Sequence, residues 1–306
     1  MRIGTRGSAL ALAQSELVRA LLAGGEREHR LVLIKTSGDL KPQVSLSRMG
    51  GKGLFTKEIE EALLRGEIDL AVHSLKDLPT EESPGLRIGA LLPREDPRDA
   101  LISRSGLKLD DLPSGAVVGT SSLRRRSQVL ARRPDLRVEE MRGNVPTRIA
   151  RLEEGTFEAV LIAAAGLHRL KLIDRATELL DESVMLPAPG QGVVAIQVRS
   201  DDKATGEAVR LLHDAVSDAE ATAERALLQG LGGGCIVPVG ARAQAKGATL
   251  LLTGYVGHPT GRPSIRMSAA GTPENAEELG RALAAAMLGQ GARPILDEVR
   301  STERFP

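Results

Sequence analysis

An apolar strand that ends in a polar cluster occupies residues 68–79, with the sequence IDLAVHSLKDLP. The apolar part, Ile68–His73, predicts a buried strand, and the ligands of open α/β sheets bind beyond the carboxyl ends of such strands. Lys76 and Asp77 fall at that position, where a carboxylate can stabilise a cation and carry a proton. An aspartate two residues before Pro79 is also a common turn residue. Taken alone, the segment favours the turn over the catalytic role.

Strands and helices alternate in the sequence before this segment. Arg2–Thr5 and Leu31–Thr36 are predicted to be strands. A helix is predicted from a cap at Ser8 to about Ala23, and Leu54–Arg65 has the apolar spacing of a second helix. This alternation is typical of an α/β sheet with helices on both faces.

A second α/β unit follows the proline-bearing stretch Pro93–Pro97. The later apolar strand Val193–Val198 can return to the first sheet, which would link the two units by two crossings of the chain. The second unit has predicted strands at Ala100–Ser103, Ala116–Gly119, Arg137–Met141 and Ala159–Ala163, and predicted helices at Ser121–Arg132, Val145–Glu154 and Ala165–Leu170.

The pattern changes after a helix predicted at Ala219–Leu231. Antiparallel strands are predicted at Ile236–Ala243, Thr249–Gly254 and Ser264–Ala270, followed by a helix at Glu274–Leu288. The expected fold class is therefore α/β plus α+β, with two α/β lobes and a smaller C-terminal α+β domain. The predicted limits are residues 1–93 with 193–214 for the first lobe, 98–188 for the second lobe and 217–306 for the C-terminal domain.

Composition narrows the classes of function. The chain has 306 residues, a formal net charge of +1 and 1% aromatic residues. Nucleic-acid binding is disfavoured, because single-strand binders need aromatic stacking platforms and a basic face. The N-terminal segment is typical of an amphipathic helix and not of a signal peptide, and with one cysteine we expect a cytoplasmic protein without an internal disulfide. No apolar stretch has the length of a membrane span.

Cations and helix starts recur at the ends of the predicted strands. The stretch Gly119–Arg126, GTSSLRRR, joins a strand to a helix whose free N–H groups can bind an anion. Arginine adds bidentate recognition of carboxylates. Five such junctions indicate a cleft for a ligand with many carboxylates or phosphates. They contain Arg6 and Ser8; Lys52; Thr120, Ser122, Arg124 and Arg125; Arg142 and Arg148; and Arg169.

The single cysteine follows a glycine run in the segment Gly230–Pro238, GLGGGCIVP. Glycines let other groups approach the backbone closely, so Cys235 is expected on a loop and not in a packed strand. A small buried apolar residue is the alternative, and it is the commoner state of a lone cysteine. The local sequence leaves both interpretations open.

Metal and nucleotide sites are not indicated by the sequence. The five histidines show no ligand spacing, and one cysteine does not make a zinc site. The glycine-rich segments do not match a dinucleotide or P-loop fingerprint. We therefore expect no metal.

Taken together, these motifs resemble the porphobilinogen deaminase family along the whole chain. The most specific is Glu224-Arg225 followed by GGCIVPVG at residues 233–240, which matches the family's cofactor-attachment signature. The shared order of the motifs argues against chance agreement. The other matching segments are Thr5–Ser8, Gly50–Phe55, Ala71–Asp77, Arg94–Asp99, Gly119–Arg125, Arg142–Arg148 and Pro189–Gly192.

This resemblance implies a transferase of tetrapyrrole (porphyrin, haem) biosynthesis. The first two domains would resemble the lobes of periplasmic binding proteins, with the active cleft between them. The third domain would carry the family's cofactor, dipyrromethane, attached to Cys235 by a thioether. Four porphobilinogen molecules would be added head to tail, each with loss of ammonia, and water would then release hydroxymethylbilane (preuroporphyrinogen). The resemblance also implies a monomer.

The resemblance also assigns roles to site residues. Asp77 matches the catalytic aspartate, which would hold pyrrole N–H groups, stabilise the cation left by loss of ammonia and assist proton transfer. Cationic and polar side chains would bind the acetate and propionate groups, and Phe55 would pack on a pyrrole ring. The implied cofactor contacts are Cys235, Lys76, Asp77, Thr120, Ser122, Arg124 and Arg125, and the implied substrate contacts are Arg6, Ser8, Lys52, Phe55, Ser74, Arg142, Arg148, Arg169 and Gln191.

A non-catalytic bilobal anion-binding protein is the main alternative. It explains the cations at the strand ends but gives no use for the cysteine loop, and we see no secretion signal of the kind that such receptors usually need. A nucleic-acid binder ranks third, for the compositional reasons given above.

Overall fold

The computed structural model describes residues 1–23, 28–37, 56–233 and 237–302 of the chain. Within these ranges the chain forms two five-stranded sheets and one three-stranded sheet. The cores are aliphatic, because aromatic residues make up only 1% of the sequence. No helix in these ranges is both long and apolar enough to cross a membrane.

The strands and helices of the described ranges are numbered here in chain order. The strands are β1 (Arg2–Thr5), β2 (Arg30–Leu33), β3 (Leu70–Ser74), β4 (Leu86–Leu91), β5 (Asp99–Ser103), β6 (Val117–Gly119), β7 (Arg137–Glu139), β8 (Ala159–Ala163), β9 (Glu178–Leu179), β10 (Val194–Arg199), β11 (Val239–Lys246), β12 (Thr249–Gly257) and β13 (Ser264–Gly271). The helices are α1 (Ala9–Leu22), α2 (Lys57–Leu64), α3 (Leu123–Arg132), α4 (Val145–Glu153), α5 (Ala164–Arg169), α6 (Lys203–Arg210), α7 (Ala215–Gly230), α8 (Ala276–Met287) and α9 (Arg293–Thr302).

The first lobe is built on a sheet with the strand order β2-β1-β3-β10-β4. Strands β1, β2 and β3 are parallel, and β10 runs antiparallel to β3 and β4. Val18 of α1 and Val209 of α6 pack on one face, and Ile59 and Leu63 of α2 pack on the other. Helices on both faces of this sheet confirm the α/β prediction for the N-terminal part of the chain.

Strand β10 returns to the first sheet from the far end of the second lobe. It inserts between β3 and β4, pairing Val194 with Ser74 and Val198 with Arg87. The chain therefore passes between the lobes twice, before β5 and after β9. Val193–Val198 thus returns to the first sheet, as the sequence allows, and the end of β3 pairs with the start of β10.

The second lobe repeats this arrangement with the strand order β7-β6-β8-β5-β9. Strands β6, β7 and β8 are parallel, and β5 is antiparallel to β8. Val129 of α3 packs with Leu161 on one face of the sheet. Ile149 of α4 and Leu167 of α5 pack on the other face.

The C-terminal domain is an antiparallel three-stranded sheet, β11-β12-β13, covered by helices. Leu227 of α7, Leu283 of α8 and Leu296 of α9 share one core with the sheet. Side chains of β13 alternate between exposed and half-buried, which is typical of a sheet with one face in water. The predicted class, two α/β lobes with a smaller α+β domain, is confirmed.

The structure differs from the sequence prediction at element ends and at four elements that the pattern does not predict. Strands β4 and β9 are sheet edges that pair with β10 and β5, a tertiary contribution that local sequence does not show. Helices α6 and α9 are the other two. Helix α7 begins at Ala215, not Ala219, because Asp214 Oδ1 accepts the N–H of Ser217 at 2.7 Å and caps it. Leu54 and Ile236, the predicted first residues of α2 and β11, lie outside the described ranges.

Candidate active site

The predicted site residues follow the carboxyl ends of parallel strands in both lobes. Because β1 and β3 are parallel in the first lobe, and β6, β7 and β8 in the second, each set of ends shares one edge. The two edges approach each other, since a Cβ on Gly166 of α5 would lie 3.7 Å from Leu10 of α1. Arg6 and Ser8 follow β1; Ser74 ends β3, and Lys76 and Asp77 follow it; Thr120, Ser122, Arg124 and Arg125 follow β6; Arg142 and Arg148 follow β7; Arg169 follows β8; and Gln191 precedes β10.

Three predicted site residues, Lys52, Phe55 and Cys235, lie outside the described residues. Their roles stay predictions. The nearest described neighbours are Thr56, which precedes α2, and Gly233, which follows α7.

Asp77 lies in a single 3₁₀ turn, Leu75–Asp77, directly after β3. Leu75 anchors the turn in the first lobe, because its side chain is fully buried and its N–H donates to Val193 O at 3.0 Å. It is held from the C-terminal domain by Arg225 of α7, which donates to the carbonyls of Leu78 and Pro79 at 3.3 and 2.6 Å. The turn favoured by sequence is therefore present, and its fixed backbone sets the position of the Asp77 carboxylate.

Lys76 lies between the two lobes and is half-buried. Its Nζ donates to Gln191 Oε1 at 3.2 Å. Burial lowers the pKa of the Lys76 ammonium to about 8, with Asp77 opposing this shift and Arg125 of the second lobe adding to it. Charged groups from both lobes, Asp77 and Arg125, therefore act on the pKa of Lys76.

Arg124 and Arg125, in the first turn of α3, share a single buried carboxylate, Asp99. Asp99 accepts from Arg124 Nη1 at 2.7 Å and from Arg125 Nε and Nη2 at 3.0 and 2.6 Å. Burial alone would raise the pKa of Asp99, but the two guanidinium groups outweigh it and hold this pKa well below its usual range. Charge-assisted pairs of this kind fix the arginine forks in one orientation.

Gln191 connects the Lys76 side of the site to Asp99. Its side chain is buried, and its amide nitrogen donates to Pro97 O at 2.7 Å and to Asp99 Oδ1 at 3.0 Å, while its oxygen accepts from Lys76. A continuous hydrogen-bonded chain therefore runs from the turn after β3 to the arginines of α3. In this structure the predicted substrate contact at Gln191 is made with protein groups.

Three further arginines come from the second lobe. Arg148 Nε donates to Gly143 O at 2.8 Å, and burial, then repulsion from Arg125, lowers the Arg148 pKa to about 10. Arg169 donates to Gly192 O at 2.6 Å, and burial lowers its pKa. Arg142 forms an ion pair with Glu140 at 2.6 Å. All three arginines are half-buried.

The hydroxyl groups of the site hold the starts of helices or bond to neighbouring side chains. Ser8 Oγ accepts the N–H of Ala11 at the start of α1, and Ser122 Oγ accepts the N–H of Arg125 at the start of α3. Thr120 Oγ1 accepts the N–H of Ser122 at 3.2 Å. Ser74 Oγ accepts from Gln14 Nε2 at 2.9 Å, and the charge of Arg6 is close enough to contribute to a lowered pKa of the buried His73.

Asp99 is a residue of the candidate site that sequence reasoning missed. Within the segment Arg94–Asp99 it precedes the apolar run of β5, so the pattern marks it as the residue before a strand. The available signal was a carboxylate adjoining a run that is fully buried. Its partners come from α3, 25 and 26 residues further along the chain, and only the fold brings them together.

Cations outnumber carboxylates in this part of the molecule. Six groups are linked by hydrogen bonds or by their effects on each other's pKa values, and together they carry a net charge of about +2. We call this set the cleft cluster. Its members are Lys76, Asp77, Asp99, Arg124, Arg125 and Arg148.

The fold and the site define a bilobal α/β protein with a cationic cluster between its lobes. A third domain contacts the segment after β3 through Arg225, which donates to the carbonyls of Leu78 and Pro79. Over the described part of the chain, no group of three or more His, Cys, Asp and Glu side chains is arranged to hold a metal ion.

The chain belongs to the porphobilinogen deaminase family. Residues 1–207 match the family model "Porphobilinogen deaminase, dipyromethane cofactor binding domain", and residues 219–289 match "Porphobilinogen deaminase, C-terminal domain". The chain is 47% identical over 302 residues to the porphobilinogen deaminase of Syntrophobacter fumaroxidans, covering 98% of this chain and 97% of the relative. It is 49% identical over 306 residues to that of Acidithiobacillus ferrooxidans, covering 98% of both chains. The resemblance stated from sequence is confirmed.

Solved structures of other proteins overlap with part of the chain. The periplasmic aliphatic sulphonate binding protein of Escherichia coli has a TM-score of 0.40 and 15% identity, covering 75% of this chain and 69% of that protein. The VFT2 domain of BvgS from Bordetella pertussis has a TM-score of 0.41 and 13% identity, covering 69% of this chain and 84% of that domain.

The cofactor of this family is dipyrromethane, and the residues present fit it. The match to the cofactor-binding family model spans both lobes. The acetate and propionate groups of a dipyrromethane are anions, and the cleft cluster has a surplus of cations and hydroxyl donors beside it. The chain has one cysteine, Cys235, consistent with thioether attachment. Membership of this family decides against the alternative of a non-catalytic binding protein.

Proposed function

We propose that the cleft cluster is the active site of this transferase and that Asp77 is its catalytic residue. As a porphobilinogen deaminase, the chain joins porphobilinogen molecules head to tail with release of ammonia, giving hydroxymethylbilane for tetrapyrrole biosynthesis. The observation that carries the assignment is the surplus of positive charge in the cleft cluster, which includes the exposed Asp77 and its half-buried neighbour Lys76.

The surplus charge has a chemical reason. Taking a cation out of water costs several kcal/mol unless an anion compensates it, and Asp99 is shared by two guanidinium groups. Porphobilinogen carries an acetate and a propionate, so each added pyrrole brings two carboxylates into the cleft. Asp99 fixes the orientation of both guanidinium groups, and arginine matches carboxylate geometry.

Asp77 supplies negative charge where the reaction develops positive charge. When ammonia leaves porphobilinogen it takes the electron pair of its C–N bond, and the remaining methylene-pyrrole is cationic. Within a cluster that is otherwise net positive, the Asp77 carboxylate stabilises that cation, accepts a hydrogen bond from the pyrrole N–H and assists proton transfer. Dipyrromethane, when bound, supplies the pyrrole end from which the chain grows.

The other site residues are proposed to bind carboxylates. Burial of Arg148 and Arg169 supports this role, because their charges lie in a poorly solvated part of the cleft. The proposed cofactor contacts are Lys76, Asp77, Thr120, Ser122, Arg124, Arg125 and, through its thioether, Cys235; the proposed substrate contacts are Arg6, Ser8, Lys52, Phe55, Ser74, Arg142, Arg148, Arg169 and Gln191.

Domain limits and cellular setting are part of the same proposal. The two crossings of the chain support limits at 1–93 with 193–214, 98–188 and 217–306. We also propose a cytoplasmic monomer without a nucleic-acid partner, in line with the net charge of +1 and the low aromatic content.

A turnover assay tests the proposed function. Purified protein given porphobilinogen should release one ammonia per molecule consumed and form hydroxymethylbilane. A Cys235→Ser variant should form neither product, because it cannot hold the cofactor. Full activity in that variant would remove Cys235 from the proposal, and no activity in the unmodified chain would remove the proposal as a whole.

A further inference from the structure

The chain leaves α7 through a glycine motif just before the described residues end at Gly233. Gly232 has a φ of +78°. Its N–H donates to Gln229 O and that of Gly233 donates to Leu228 O, both at 2.8 Å. This is the Schellman arrangement, in which a left-handed glycine closes the last turn of a helix.

A residue from the far end of the chain completes this helix terminus. Arg300, on α9, donates from Nη2 to Leu231 O at 2.8 Å and to Gly232 O at 3.0 Å. These carbonyls follow the last turn of α7, where the helix dipole is negative. A cation with two donated bonds is therefore well placed both electrostatically and by hydrogen bonding.

Little space is left for a side chain at Gly232 or Gly233. A Cβ on Gly232 would lie 2.5 Å from Arg300 Nη2, and a Cβ on Gly233 would lie 2.7 Å from Leu228 O. Gly233 is thus required by a close backbone contact, and Gly232 is favoured by its positive φ of +78°. At these two positions the glycine run has a defined backbone conformation that ends α7.

Helix α9 is itself firmly placed. Ile295, Leu296 and Val299 are each at most 4% exposed, and the first two share a core with Leu231 at the end of α7. The family-model match to the C-terminal domain ends at residue 289, so α9 follows the matched segment. The guanidinium of Arg300 thus extends from a fixed helix onto Leu231 and Gly232, four and three residues before Cys235 in the sequence.

We infer that Arg300 is a positioning residue for the cofactor: it fixes the direction in which the chain leaves α7, three residues before Cys235. The inference rests on the proposed function in one respect, namely that Cys235 carries dipyrromethane. Without Arg300 the carbonyls of Leu231 and Gly232 lose their cation, the Schellman turn opens more often, and the attachment point samples a wider range of positions. The growing end of the chain is then less often aligned with Asp77.

The test compares Arg300→Ala with Arg300→Lys and with a control, Arg293→Ala, an exposed arginine at the other end of the same helix. Amide exchange of Gly232 and Gly233 is followed by NMR in each holoprotein, together with kcat and KM for porphobilinogen. In Arg300→Ala we expect both amides to exchange about three to ten times faster, as for loss of a cation that binds the carbonyls at a helix terminus. We expect kcat to fall about tenfold with KM little changed, because misalignment of reacting groups costs rate and not substrate affinity.

The remaining outcomes decide between a positioning role and a structural one. Arg300→Lys should recover part of both effects, and Arg293→Ala should show neither. Faster exchange with unchanged kcat, or reduced kcat with unchanged exchange, would overturn the inference. If Arg300→Ala does not fold, the same comparison is made with Arg300→Lys, for which intermediate values are expected. A cofactor mapped to a residue other than Cys235 would contradict the proposed function instead, and it would leave the exchange result unaffected.

Discussion

Two ion clusters lie at the two ends of the segment Arg94–Asp99, and their charges are balanced differently. One is the cleft cluster around Asp99. The other, which we call the junction cluster, joins the lobes to the C-terminal domain: Arg94 pairs with Glu220 and Glu224 at 3.0 and 3.1 Å. Its members are Arg94, Glu182, Glu220, Glu224 and Arg242.

The guanidinium charges of the junction cluster are compensated by carboxylates of the protein itself. Glu224 is fully buried, and besides Arg94 it accepts the N–H groups of Gly190 and Ala243 at 2.7 and 2.8 Å. Burial raises the pKa of Glu224, and Arg94 opposes that rise. Carboxylates outnumber guanidinium groups here, so the cluster has no surplus cation for an anionic ligand. The comparison teaches that a cluster of charged side chains does not by itself indicate a binding site. A surplus of cations over carboxylates indicates a site for an anionic ligand.

Loss of the Asp77 carboxylate should have the largest effect on catalysis. In Asp77→Asn the amide cannot carry a proton and has no charge to stabilise a cation, so we expect kcat to fall about 10²–10⁴-fold. The turn should persist, because Leu75 and Arg225 hold it. Ammonia release measures turnover, and circular dichroism measures folding. Asp111→Asn, at an exposed aspartate, is the control; a folded Asp77→Asn with normal turnover would remove Asp77 from its role.

A pair of matched amide substitutions tests the difference between the clusters. Asp99→Asn should lower the free energy of unfolding by about 3 kcal/mol, because two buried guanidinium groups lose their counter-charge. It should also raise KM for porphobilinogen about tenfold, because those groups lose their fixed orientation. Glu220→Gln should reduce stability by a smaller amount and leave KM unchanged. Denaturant unfolding and steady-state kinetics give both values. Equal KM changes in the two variants would contradict the claim that only the cleft cluster binds substrate.

The buried charge of Lys76 should appear in the pH dependence of stability. Burial lowers its pKa to about 8 in the folded state, so between about pH 8 and 10.4 the unfolded chain binds more protons and stability gains with rising pH. In the cofactor-free Cys235→Ser background, Lys76→Met should be the more stable protein below pH 8. Its advantage should shrink by about 1–3 kcal/mol across this window. A pH-independent difference in unfolding free energy between the two proteins would show that Lys76 does not titrate there.

The sequence predicts more of the sheets than of the contacts between them. Strands such as Arg2–Thr5 and Ala159–Ala163 are found as predicted because each is a short apolar run with turn residues at its ends. Strand β4 was not predicted, since it depends on pairing with β10, more than 100 residues later. For the site, the strand-end arginines could be named from sequence. Asp99 and the bond from Arg300 could not, because both depend on partners brought together only by the fold.

The most direct test of the central claim, that the surplus cations serve a carboxylated chain anchored at Cys235, is the mass of the purified protein. Intact-mass measurement followed by peptide mapping should show an increment of two pyrrole units, located on the peptide that contains Cys235. An active protein with an unmodified Cys235, or with the increment on another peptide, would contradict the account.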